Sequence, residues 1–348
     1  MFGVAPALSD PVRVGLVGAG RIGTSHATLL ARRVPGARLV AVADPRPEAA
    51  RALADSLGCR AARDADELFA DPEIEAVVIT ASSEAHADLV VAAATAGKAV
   101  FCEKPMGMTI DEIDQGIAAA AQAGVALQVG FNRRFSTDFA AARRLVEDGV
   151  IGTPQLMRSV TRDPGLADPG AVPPWTIFTQ TLIHDFDALN WFNPGARAVE
   201  VSAMADALVA PAYKASGLLD TAVVTIRYDN GAIGVAEASF SAAYGYDVRG
   251  EVFGSAGMVQ AGSPAHLTTS LWTADGVATP TARMDTDLFS DAYAAELAAF
   301  CTAVRAGTPT VVGGHDARAA LRIALACIEA VETGSTVIVR DADREVAA

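Results

Sequence analysis

Two side chains in this sequence have the chemistry to handle a proton in an active site. His184 stands in FTQTLIHDFDALNW (178–191), with Gln180 four residues before it and Asp185 and Asp187 just after. An imidazole titrates near neutral pH and is the commonest general base. Helical spacing puts Gln180 on the face of His184 and brings Asp187 within reach of its ring. Asp185 points about 100° away and should meet something else. The apolar neighbours Leu182, Ile183, Phe186 and Leu189 equally fit a histidine satisfied inside a core, so both readings stand on these residues alone. Lys104, in FCEKP (101–105), is the second side chain. It follows an apolar run that reads as a strand, and Pro105 restricts its backbone. An ammonium there could polarise a substrate oxygen; an ordinary surface lysine also fits.

Such groups need a frame, and the N-terminal half supplies one. VGLVGAGRIG holds Gly18-x-Gly20-x-x-Gly23 between an apolar run and an amphipathic one. After a strand and before a helix, this spacing is the dinucleotide fingerprint. The first Gly permits the tight turn, the second lets the backbone approach a pyrophosphate, and the third lets helix and strand pack closely. The helix N-terminus offers free N–H groups to the phosphates. Asp44 in AVAD lies 21 residues after Gly23 (44 − 23), where a carboxylate accepts from a ribose 2′-hydroxyl and repels a 2′-phosphate. NAD is therefore the expected cofactor. Arg46, two residues on, keeps NADP open.

The first 130 residues alternate Val-rich strands with Ala-rich helices, the pattern of a parallel sheet covered on both faces. Thr109 and Glu112 fit a capping box opening a helix that Gly124 stops, and Gly97 closes the helix starting near Ser83. After Phe131 the pattern changes. TAVVTIRYDNGAIGVAEASF reads as a hairpin, with Asn230-Gly231 suited to a type I′ turn, and GEVFGSAGMVQAG reads as a second hairpin. Two further helices and a short strand end the chain. The expected fold is α/β: a Rossmann domain over 1–131, then an α/β domain over 132–348 with a large open, mainly antiparallel sheet, serving substrate binding and oligomerisation.

The formal charge is 27 − 41 = −14, which disfavours nucleic acid and anionic membranes as partners. The N-terminus shows no signal-peptide pattern and no run is apolar enough for a membrane span. Cys59, Cys102, Cys301 and Cys327 are scattered without metal-ligand spacing. A cytoplasmic protein with reduced thiols and no metal is expected.

Together, GAGRIGTSHA, Asp44, ASSEAHADLVVAAATAGKAVFCEKPM, GFNRRF and IHDFD resemble the Gfo/Idh/MocA oxidoreductase family, and most of all its inositol 2-dehydrogenase branch. The resemblance spans roughly residues 11 to 335. It implies the two-domain fold above and a dimer or tetramer built on the open sheet. It implies an NAD(P)-dependent oxidoreductase acting on a secondary alcohol of a sugar, polyol or cyclitol. Lys104 matches the family's substrate-side lysine and His184 its general base. Arg21, Ile22, Ser82, His86 and Glu103 join Gly18, Gly20, Gly23, Asp44, Arg46 and Lys104 as cofactor-side candidates; a helix-start structural role also fits His86. Asn132, Asp163 and Tyr246 fall where inositol-type members touch substrate hydroxyls.

The chain departs from that branch at Gln180, where inositol-type members carry Asp, and at PPWTIF, where they tend to have a Gly pair. Trp175 would narrow the substrate pocket or offer it a stacking face. Gln180 can hold a substrate hydroxyl as donor and acceptor but cannot stabilise a protonated imidazole by charge. The expected reaction interconverts an alcohol and a ketone with His184 as base. The alternatives are a keto-sugar or imine reductase, or a non-catalytic nucleotide-sensing regulator.

Overall fold

The computed structural model describes residues 10–265 and 269–340. The expectation of a leaderless N-terminus falls mostly on residues 1–9, outside them. In chain order the elements are β1 (Val12–Val17), α1 (Arg21–Arg32), β2 (Ala37–Ala43), α2 (Pro47–Leu57), β3 (Arg60–Ala61), α3 (Ala65–Ala70), β4 (Ala76–Ile79), α4 (His86–Thr95), β5 (Ala99–Cys102), α5 (Ile110–Ala123) and β6 (Leu127–Val129). Then come α6 (Thr137–Glu147), β7 (Pro154–Arg162), α7 (Ile183–Phe192), β8 (Ala198–Asp206), β9 (Thr221–Tyr228), β10 (Ile233–Ser239), β11 (Asp247–Gly254) and β12 (Met258–Ala261). The chain ends through β13 (Leu271–Thr273), β14 (Gly276–Ala278), α8 (Asp285–Leu288), α9 (Ser290–Ala306), α10 (Gly314–Thr333) and β15 (Val337–Ile338).

Two compact units result, 10–135 with 290–318, and 136–289 with 319–340. The expected division at 131/132 treated the chain as two contiguous pieces. Residues 290–318 instead group with the first unit, because α9 finds its apolar contacts there. Phe300 lies against Phe101 of β5 and Tyr293 against His26 of α1. Arg305 forks onto Glu75, ahead of β4.

In the first unit six parallel strands run in the order β3-β2-β1-β4-β5-β6, the doubly wound order of a Rossmann domain. Strands β4 and β5 are buried along their whole length, as the continuous apolar runs AVVI and AVFC require. Helix α1 packs against α2, and α4 against α5, as right-handed crossovers in this strand order would place them. The capping box of α5 forms as its sequence suggests, with Thr109 and Glu112 bonded reciprocally and Gly124 in the left-handed region.

In the second unit seven strands run in the order β12-β11-β7-β10-β9-β8-β15, antiparallel except for the β7–β10 pair. Burial alternates strictly along β9 and β10, so one face is covered while the other presents Val223 and Ile233 to solvent. The hairpin turn differs from the type I′ expected. Gly231 has φ 88°, and among the described residues the one non-glycine with positive φ is Trp175. Asn230 therefore keeps an ordinary φ. The Gly231 N–H donates to Tyr228 and the Tyr228 N–H to Ala232, giving a three-residue loop whose left-handed residue is Gly231 alone. Asn230 is used as a polar staple, its side chain accepting from the Ala232 N–H at 3.1 Å.

Candidate active site

Because the strands of the first unit are parallel, the residues that follow β1, β2, β4, β5 and β6 gather along one edge. Gly18 takes φ 102° there, and a Cβ on it would come within 2.6 Å of the Thr80 carbonyl. A Cβ on Gly23 would lie 1.7 Å from the Gly18 oxygen. Gly20 is different: among the described residues no atom lies within 4 Å of the Cβ it lacks. Two glycines thus lock the turn and the middle one leaves open backbone, which fits a pyrophosphate. Thr80, which the sequence reading missed, clamps the turn by donating its hydroxyl to the Gly18 carbonyl at 2.8 Å. Arg21 and Ile22 open α1 directly behind it.

Asp44 follows β2 and is almost wholly buried. Its Oδ2 accepts the Ala19 N–H at 2.7 Å, tying the acid to the glycine turn. Its Oδ1 accepts the Arg46 N–H at 2.9 Å and the Arg46 Nε at 3.2 Å. Burial works against its charge, but the N–H donors of Arg46 and Ala19 and the Arg46 side chain outweigh it, holding the carboxyl below the usual range.

Beyond β4, Ser82 is exposed, and His86 opens α4 as a buried residue. The His86 ring spans two loops, with Nδ1 2.7 Å from the Pro105 carbonyl and Nε2 3.1 Å from that of Ala81. Burial pushes its pKa down. Beyond β5, Lys104 alone stays partly open in the buried run from Phe101 to Gly107. Glu103 turns its carboxylate inward, 2.8 Å from His26 Nε2, and its Oε2 accepts the Lys104 N–H at 3.1 Å. Asn132, after β6, is buried in a short 3-10 turn.

The second unit carries the remaining candidates. The helix expected around His184 is not uniform. Residues Ile177–Thr181 form a π turn, closed by the Leu182 N–H on the Ile177 carbonyl at 2.8 Å, before α7 begins. Single π turns inside helices are concentrated at functional sites. Gln180 and His184 both keep part of their surface open, whereas Phe178, Thr179, Leu182, Ile183, Asp185 and Phe186 are buried. Trp175 leads into this turn at φ 62°, a costly conformation for a bulky residue, with its ring stacked 6.4 Å from that of Phe178. Its carbonyl accepts the N–H groups of Phe178 and Thr179, which holds the strained entry in place.

Asp185 does meet something else. Ser159 and Thr161, side by side on one face of β7, donate their hydroxyls to its two oxygens at 2.5 and 2.7 Å. That contact fixes α7, and with it His184, on the sheet. Asp163 follows the end of β7, its N–H on the Ser239 carbonyl and its own carbonyl taking the Ala242 N–H. Tyr246 precedes β11, half-buried, with its N–H on the Ala282 carbonyl.

The chain matches the family model described as the Gfo/Idh/MocA oxidoreductase family with an NAD-binding Rossmann fold over residues 12–131, and the C-terminal domain model of that family over 139–260. It is 37% identical to the myo-inositol 2-dehydrogenase of Thermotoga maritima, over 92% of this chain and 96% of that protein. It is 35% identical to the scyllo-inositol 2-dehydrogenase (NAD+) of Bacillus subtilis, over 95% and 97%. The crystal structure of scyllo-inositol dehydrogenase from Lactobacillus casei, with bound NAD(H) and scyllo-inositol, superimposes with a TM-score of 0.90 at 29% identity, covering 95% of this chain and 99% of that one. This chain belongs to the Gfo/Idh/MocA oxidoreductase family. Like the family's N-terminal model, its first unit is an NAD-binding Rossmann fold.

Proposed function

We propose that this protein is an NAD-dependent dehydrogenase converting a secondary hydroxyl of a cyclitol, or of a related polyol or sugar, to a ketone. The observation that carries the reading is similarity over nearly the whole chain to proteins named as inositol 2-dehydrogenases. NAD, held at the Gly18–Gly23 turn with its ribose on Asp44, supplies the hydride acceptor. His184 takes the hydroxyl proton, while the Lys104 ammonium polarises the same oxygen and favours its loss. Gln180 holds a neighbouring hydroxyl as donor and acceptor, and Asn132, Asp163 and Tyr246 orient the others. Trp175, stacked on Phe178, forms a flat wall for the apolar face of the ring. The Asp44 carboxylate disfavours a 2′-phosphate, so NAD is preferred over NADP.

Exposed apolar residues on the open sheet, among them Leu156, Val223, Ile233 and Phe253, support a homodimer or homotetramer. The four cysteines are free, which suits the cytoplasm. The net charge of −14 argues against nucleic acid and anionic membranes as partners. Among the described residues, no helix is long and apolar enough to cross a membrane.

The test is to incubate the protein with NAD or NADP and a panel of cyclitols, polyols and sugars, and to follow reduced nicotinamide. Turnover that falls about 10²–10⁴-fold in His184→Ala, with NAD affinity retained, supports the reading. No turnover on any member, with Lys104→Ala and His184→Ala binding cofactor and ligands like the wild type, overturns it.

A further inference from the structure

Three ionisable side chains meet in the interior of the first unit. His26 comes from α1, Glu103 from the end of β5 and Glu296 from α9; they are 0%, 7% and 0% exposed. His26 Nε2 lies 2.8 Å from Glu103 Oε1 and 3.9 Å from Glu296 Oε1, and one atom of each residue falls within 4.8 Å of the other two. Among the described residues, neither oxygen of Glu296 has a hydrogen-bond partner, and neither has His26 Nδ1.

Two carboxylates this close, and this deeply buried, cannot both stay ionised. The donors decide which one does. Glu103 receives the His26 ring and the Lys104 N–H, and it feels the Lys104 ammonium. Glu296 faces the Glu103 charge, and the rings of Phe101 and Tyr293 lie against His26, with Phe300 against Phe101. Burial and the Glu103 charge push the Glu296 carboxyl far above its usual range. The other titratable groups acting here are Cys102 beside Glu103, His86 of α4, which feels both Glu103 and Lys104, and Tyr293 against the His26 ring.

We propose that of the two carboxyls in this cluster Glu296 is protonated and Glu103 is ionised, and that Glu103 is thereby a positioning residue for Lys104. His26 donates to one oxygen of Glu103, leaving the other free to fix the Lys104 backbone at the end of β5. The single charge lies beside the Lys104 ammonium and keeps it protonated. The neutral Glu296 fills the space behind without competing for His26. The part concerning Lys104 rests on the catalytic role proposed for it above; the proton on Glu296 does not.

Infrared difference spectra on protein carrying ¹³C-labelled glutamate read that proton without any substrate. The wild type is expected to show a protonated-carboxylic carbonyl band at pH 7 that Glu296→Gln removes, and Glu296→Gln is expected to keep the fold and bind NAD. In Glu103→Gln, kcat is expected to fall about tenfold or more with little change in KM. The alkaline limb of its kcat/KM profile is expected to move to lower pH by about one unit, because the Lys104 ammonium loses its neighbouring charge. A missing carboxylic band at pH 7 overturns the proposal. So does a melting temperature that rises with added Zn²⁺ or Mn²⁺ in the wild type but not in Glu296→Gln, which would make the cluster a metal site. An unmoved pH profile in an active, folded Glu103→Gln overturns the positioning role. Absence of turnover on every substrate sinks the catalytic reading and leaves the infrared result to decide the cluster.

Discussion

Arg46 folds back onto Asp44, its Nε 3.2 Å and its backbone N–H 2.9 Å from the same carboxylate oxygen. The arginine is thus engaged by the acid proposed to exclude a 2′-phosphate, although its side chain stays 63% exposed. Asp44→Ser should release Arg46 and remove the repulsion together. The ratio of kcat/KM for NAD over NADP is expected to fall at least about tenfold, roughly 1.4 kcal/mol. An unchanged ratio would mean that Asp44 does not contact the ribose.

Asp185 joins α7 to β7 through Ser159 and Thr161. Asp185→Ala leaves two buried hydroxyls without their charged acceptor and a void beneath the His184 helix. A loss of about 2–4 kcal/mol in denaturant unfolding is expected. Asp185→Asn keeps an acceptor and the shape, and should lose markedly less. Equal losses for the two variants would show that the paired carboxylate acceptors, not the filled volume, are what Asp185 contributes.

Gln180 lies just before His184 on the partly open side of its helix. Gln180→Asp places a carboxylate where a neutral amide stood, which favours the imidazolium. The acidic limb of the kcat/KM profile should therefore move to higher pH, and the preference across a cyclitol panel should change. A variant identical to the wild type in both respects would remove position 180 from the machinery.

Glu75 accepts both Arg305 nitrogens, at 2.6 and 2.7 Å, and the Arg13 N–H at 2.9 Å. The Arg305 donors, helped by Arg13 and opposed by partial burial, hold its carboxyl below the ordinary 4.5. A carboxyl depressed in the folded state stabilises fully above its unfolded pKa and loses that contribution as pH falls through the folded value. The pair is partly exposed, so about 1 kcal/mol is the expected scale. Glu75→Gln should lower the melting temperature at pH 7, and the gap to wild type should close on acidification below about pH 4, as linkage requires. A gap that persists in acid would assign the effect to packing.

Features confined to neighbouring residues were legible in the chain. The Gly18–Gly23 turn, Asp44, the capping box of α5 and the alternation of β9 and β10 each arise within one strand, turn or helix. Turn geometry was only half legible. Asn230-Gly231 marks a hairpin, but its type depends on the register of β9 against β10, set by what each strand buries. The π turn before α7 was hidden for a related reason. Helical periodicity looks the same on either side of it, and the structure displays its strained entry at Trp175 alongside the extra residue.

By itself the sequence determined a Rossmann frame with Asp44 after its second strand and a second α/β unit, and it offered His184 and Lys104 as candidates for the chemistry. Those properties are written in spacing and residue type, which act over a few residues. Only the tertiary structure decided that 290–318 joins the first unit, that Asp185 bonds Ser159 and Thr161, and that His26, Glu103 and Glu296 meet. Glu103 and Glu296 are 193 residues apart (296 − 103). No local pattern announces that two carboxylates will share one buried space, because burial and long-range packing create both their proximity and their chemistry.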